Sequence, residues 1–130
     1  MVKNKFIPLI CLLFAIPVYS QTFEYQCRFT KTINHKAEVS ESVFDIKFVE
    51  DSHTGKAVMV GNNGVAELNI NQGRFKTFIE PIESGAVTTT TIFDNGTAIH
   101  YRISSLPGID VYYSAMLYGK CLKIPSSSFN

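Results

Sequence analysis

The sequence predicts an all-β domain: about eight antiparallel strands in meander order, closed as an up-and-down or flattened barrel. Three observations carry this expectation. Gly55, Gly64, Gly73, Gly85, Gly96, Gly108 and Gly119 cut the chain into short segments of near-regular length. The segments between them are rich in Val, Ile, Thr, Phe and Tyr, whose branched or aromatic side chains suit a pleated surface. Two cysteines, Cys27 and Cys121, stand near the two ends of the patterned region.

Met1–Ser20 is different in kind. Lys3 and Lys5 give a positive start, Phe6–Val18 is almost wholly apolar, and Val18 and Ser20 occupy the positions a signal peptidase reads. The apolar run falls short of the roughly 20 residues a bilayer span needs, and it holds Pro8 and Pro17. We read 1–20 as a cleavable signal, 21–122 as one β domain and 123–130 as a serine-rich flexible tail. The mature chain is then exported, to the periplasm or beyond the cell, with no transmembrane span.

The elements follow in order. Gln21–Lys31 alternates, with Phe23, Tyr25, Cys27 and Phe29 on one face, and makes a half-buried first strand. Thr32–Glu41 is polar and aperiodic, compatible with a long loop, an extension of the strand or a helical turn around Ala37. Ser42–Val49 alternates again and places Phe44, Ile46 and Phe48 inside. Glu50–Gly55 has the small polar residues of a turn. Lys56–Gly61 and Gly64–Asn71 flank Asn62-Asn63-Gly64, a hairpin signal because Asn and Gly tolerate positive φ. Arg74–Glu80 sets Phe75, Thr77 and Ile79 against Arg74, Lys76 and Phe78, and Pro81 ends it by lacking an amide hydrogen.

Glu83-Ser84-Gly85 turns the chain into Ala86–Phe93, a strand with four consecutive threonines. Asp94-Asn95-Gly96 leads to Thr97–Ser104, where Ile99, Tyr101 and Ile103 take the core parity and His100 and Arg102 the solvent parity. After Pro107-Gly108, Val111–Cys121 carries Val111, Tyr113, Ala115, Leu117 and Cys121 on one parity. Asn95-Gly96-Thr97 also fits the acceptor pattern for N-glycosylation.

A meander sheet has two raw edges, its first and last strands, and these carry Cys27 and Cys121. Removal of 1–20 takes Cys11 with it and leaves two cysteines; an even cysteine count in an exported chain reads as a disulfide, and the bond requires the two α-carbons to approach within about 7 Å. Closure of the sheet satisfies that requirement and removes the edges. A two-layer β-sandwich with the bond pinning its layers is the alternative.

Several function classes lose their support at this stage. Without Lys3 and Lys5, ten basic residues (12 − 2) face eleven acids, a net charge of −1 that offers no basic excess for nucleic acid. No Gly-x-Ser-x-Gly elbow or phosphate-binding glycine loop occurs. His35, His53 and His100 lack metal-ligand spacing and read as solvent-facing, and Asp51 with His53 reads as turn chemistry. Glu80 and Glu83 are carboxylates that a sugar could meet, but a chain this short has little room for a glycosidase cleft. The expectation is therefore a protein that is not an enzyme and uses no cofactor or metal. It works by binding a protein partner, in an inhibitor-like or envelope accessory role. Phe78, Tyr112, Met116 and Tyr118, on outward parities, and Ser84-Gly85, in a turn, are the candidate contact residues. The alternative is a carrier of a small hydrophobic ligand inside the barrel.

Overall fold

The structure, a computed structural model, describes residues 21–61, 64–82, 87–105 and 112–126. Its elements are β1 (Thr22–Asn34), β2 (Val39–Asp51), β3 (Lys56–Gly61), β4 (Gly64–Gln72), β5 (Lys76–Pro81), β6 (Val87–Ile92), β7 (Thr97–Ser105) and β8 (Tyr112–Ser126). Every strand is antiparallel to its sequence neighbours, and β8 returns to pair with β1, so the sheet is a closed barrel. The barrel, and not the sandwich, answers the edge problem. Cys27 and Cys121 face each other directly in the β1–β8 register and are disulfide-bonded.

Alternation decides what fills the barrel. Phe29, Phe48 and Phe78 are each 1% exposed and form its centre with Tyr25, Ile46, Leu68 and Leu117. Phe48 and Phe78 stack from opposite walls at 4.7 Å between ring centroids. The outer face of β1 and β2 is charged: Arg28 donates to both carboxylate oxygens of Asp45, its register partner, and Lys47 reaches Glu24. Among the described residues no helix is long and apolar enough to cross a membrane.

The structure decides one stretch that the sequence leaves open and corrects the start of the tail and the parity of β7. The polar stretch 32–41 is a hairpin: β1 runs to Asn34 and β2 begins at Val39. The Asn34 side-chain oxygen accepts from the amides of Lys36 and Glu38, and Ala37 holds a positive φ of 63°. Local side-chain to backbone bonding thus replaces the apolar signal that the sequence lacks there. The chain beyond 122 is not wholly a tail, because β8 continues to Ser126, opposite Thr22. In β7 the parity is inverted: Ala98 and His100 are buried at 2% each, while Ile99 and Tyr101 lie on the outer face. Residues 1–20, Asn62-Asn63, Ser84-Gly85, Pro107-Gly108 and Val111 lie outside the described residues.

One glycine is required by close approach. Gly119 sits where β1 shifts register between Phe29 and Lys31, and a β-carbon there would lie 2.0 Å from the Arg28 carbonyl oxygen. No side chain fits without displacing backbone.

The end of the barrel nearest Thr22 and Ser126 is plugged by a polar cluster. Lys76, from β5, reaches across the interior to Glu50 of β2 and Tyr25 of β1, donating to Glu50 and, at 3.0 Å, to the Tyr25 hydroxyl oxygen. The Tyr25 hydroxyl donates to the same Glu50 oxygen at 3.3 Å. Burial pulls the Lys76 ammonium down, but the hydrogen bonds to Glu50 and Tyr25 outweigh it and hold the pKa above its ordinary value. Lys123 covers the outer side of the plug, its ammonium 4.1 Å from the Phe23 ring centroid.

Candidate functional site

Among the described residues the opposite end is open. The inward row nearest that end carries Glu80, Thr88 and Arg102 on β5, β6 and β7: Glu80 pairs with Thr88, and Arg102 lies one residue beyond the Thr89–Tyr101 pair. The next row down is Phe78, Thr90, His100 and Leu117, all buried. Above it opens a cup of about 430 Å³, walled by Phe44, Ile46, Met59 and Ala66 on its apolar side and by Glu80, Thr88, His100 and Arg102 on its polar side. Gly61 and Gly64 form part of its wall, and a β-carbon added at either would meet nothing within 4 Å. The cup exists because this wall lacks side chains where the interior below is filled with phenylalanine.

His100 lies at the bottom of the cup. Its Nδ1 is 2.7 Å from the Thr90 hydroxyl, and its ring is 5.6 Å from that of Phe29 and 6.3 Å from that of Phe44. Burial, with a smaller contribution from the Arg102 charge, lowers its pKa to about 4, so the imidazole is neutral at pH 7. The solvent-facing reading of His100 is therefore overturned. Ile99, Tyr101 and Ile103 outweigh it in a pattern based on hydrophobicity, whereas cross-strand pairing with Thr90 gives it a hydrogen-bonding partner inside.

A pH dependence follows. An unfolded histidine titrates near 6.5, so between about pH 6.5 and 4 the unfolded chain binds a proton that the folded one does not. Stability is therefore full above about pH 6.5 and is lost as the pH falls toward 4, by about 3 kcal/mol from this residue. Urea unfolding at pH 7.5, 5.5 and 4.5 should show the decline, and His100→Gln should flatten it. An equally steep decline in that variant would assign the effect to other groups.

His35 and His53 are far from this arrangement and from each other. They follow the ends of two antiparallel neighbours, β1 and β2, and so lie at opposite ends of the barrel. His35 packs edge-on against Tyr113, with ring centroids 5.2 Å apart. The His53 amide donates to Asp51, whose backbone carbonyl also accepts from Gly55, so Asp51 organises the turn. Among the described residues no cluster of three or more His, Cys, Asp or Glu could hold a metal ion.

The outer face supplies a second candidate. Phe78 does not belong to it: at 1% exposure the residue is core, because β5 turns Lys76, Phe78 and Glu80 inward. Met116 and Tyr118 do face outward, and Tyr112 shares their parity on β8. Across the register, Tyr101, Met116, Ile33 and Val39 form one continuous row over β7, β8, β1 and β2, with Ile99 and Tyr118 beside it. Val39 is 60% exposed. Arg28, Lys31 and Lys120 flank the row, and Lys31 and Lys120 have no ion-pair partner among the described residues. The sequence pointed to Met116 and Tyr118 but missed Ile99 and Tyr101, which the parity expected of β7 placed in the core, and Ile33, which lies in the aperiodic stretch 32–41.

Comparison with protein-family models, curated proteins and solved structures finds no match to this chain. The functional reading rests on the geometry alone.

Proposed function

We propose that this is an exported β-barrel binding protein that engages a protein partner through the outer face of β7, β8 and β1. The disulfide is compatible with the oxidising compartment that an exported chain enters. The observation that carries the proposal is the in-register row Tyr101, Met116, Ile33 and Val39. A closed barrel buries its core inside, so folding does not require an apolar row on the outer wall. The row spans about 14 Å across four strands, and the cations beside it suit a partner whose apolar contact is rimmed by acids.

A carrier of a wholly apolar ligand fits less well, because the lower interior is packed and the cup above it is walled partly by charged side chains. The test is a pull-down from the source envelope extract with the mature, oxidised protein and its Tyr118→Glu and Met116→Glu variants. We expect one protein recovered by the parent to fall by about tenfold or more with either variant, as hot-spot loss at an interface does. Melting curves should be unchanged. Equal recovery by parent and variants would sink the proposal.

A further inference from the structure

The cup is separate from the outer face and lies at one end of the barrel. Its rim carries one carboxylate, Glu80, and one guanidinium, Arg102, and neither has a hydrogen-bond or ion-pair partner among the described residues. They stand two strands apart, a backbone separation of about 10 Å, with the Thr88 side chain between them. Beneath them the wall turns apolar at Phe44, Ile46 and Met59. Opposite charges held at one rim without meeting each other complement a ligand that brings both charges itself.

We infer that the cup binds a small zwitterion with an apolar side group, of the class of an uncapped apolar dipeptide. The ligand ammonium pairs with Glu80, its carboxylate with Arg102, and its side chains enter the cup. Two extended residues span about 7 Å between termini, a length that fits between the rim positions of Glu80, half-buried, and Arg102, exposed. A purely anionic amphiphile would be repelled by Glu80 and a cationic one by Arg102. The cup's volume of about 430 Å³ lies within the range of small-molecule sites. Gly61 and Gly64 keep that volume free.

The test uses the mature, oxidised protein and calorimetric titration with leucyl-leucine, its N-acetyl and C-amide forms, and decanoate. Leucyl-leucine should bind saturably, and each single cap should weaken it by about tenfold or more, the effect of losing one charge-assisted hydrogen bond. Glu80→Gln should abolish the penalty for N-acetylation, and Arg102→Gln the penalty for amidation. Gly61→Phe fills the cup from a position without positive φ and should abolish binding while leaving the melting curve in place. Equal binding of capped and uncapped peptide, tighter binding of decanoate, or no saturable binding of leucyl-leucine would each overturn the inference. None of these results bears on the outer face, whose test reads partner recovery.

Discussion

Replacing the bridge with Cys27→Ala and Cys121→Val should lower the melting temperature by about 15–20 °C. The bond joins residues separated by 94 positions, for which the chain-entropy model gives roughly 4.7 kcal/mol of restriction in the unfolded state. A domain of this length loses on the order of 4 °C per kcal/mol. The effect is large because of where the bond lies. It spans β1 and β8, the two strands that close the barrel, so the bridged unfolded chain already holds the ends of the meander together. Both sulfurs are buried, at 3% and 8% residue exposure, and Ala and Val refill that space without adding polar atoms. Scanning calorimetry of the variant and of the reduced parent provides the measurement. A fall of less than about 5 °C, with both thiols shown to be free, would mean that the β1–β8 ladder closes the barrel unaided.

The second large effect is expected at the plug. Lys76→Met should cost about 3 kcal/mol or more, because it leaves the Glu50 carboxylate buried with only the Tyr25 hydroxyl as a donor. The Lys76 and Glu50 side chains are 15% and 11% exposed, too enclosed for water to replace the lost ammonium. Glu50→Leu combined with Lys76→Met removes both charges and should recover most of the loss, since an apolar pair of similar volume is often neutral relative to a buried ion pair. Urea denaturation of the two single variants and the double variant completes the cycle. Equal destabilisation of Lys76→Met and the double variant would show that the loss does not come from leaving the Glu50 charge unpaired.

The plug also shows how a sequence pattern can mislead. Lys76 and Phe78 share a parity, and reading the lysine as solvent-facing carries Phe78 outward with it. The structure keeps both inside, with Phe78 stacked on Phe48 and Lys76 paired across the interior. A charged residue on a barrel's inner face becomes intelligible only when its partner on the opposite wall is known, and Glu50 lies 26 residues away in sequence. The same holds for His100: its burial depends on Thr90, a cross-strand neighbour that no spacing rule identifies.

Much of the architecture was nonetheless legible. Phe23, Tyr25, Cys27 and Phe29 on β1, and Phe44, Ile46 and Phe48 on β2, alternate without interruption, and period-2 burial leaves one consistent face for each strand. Asn95-Gly96 and the Asp51–Gly55 segment lie at the turns their residue chemistry predicts, with Gly96 at a φ of 87° and Gly55 at 71°. The cysteines indicated closure because only a sheet whose first and last strands meet brings them together without a second layer.

Sequence by itself determined the strand count and the meander order and favoured closure over a sandwich, since alternation, turn chemistry and cysteine placement are local or one-dimensional signals. The tertiary structure alone decided which face of β5 and β7 turns inward, where the interior stops being filled, and which outer residues adjoin. Those properties depend on register around a closed ring. A polar side chain can face inward wherever another strand supplies its partner, and that supply exists only once the barrel is closed.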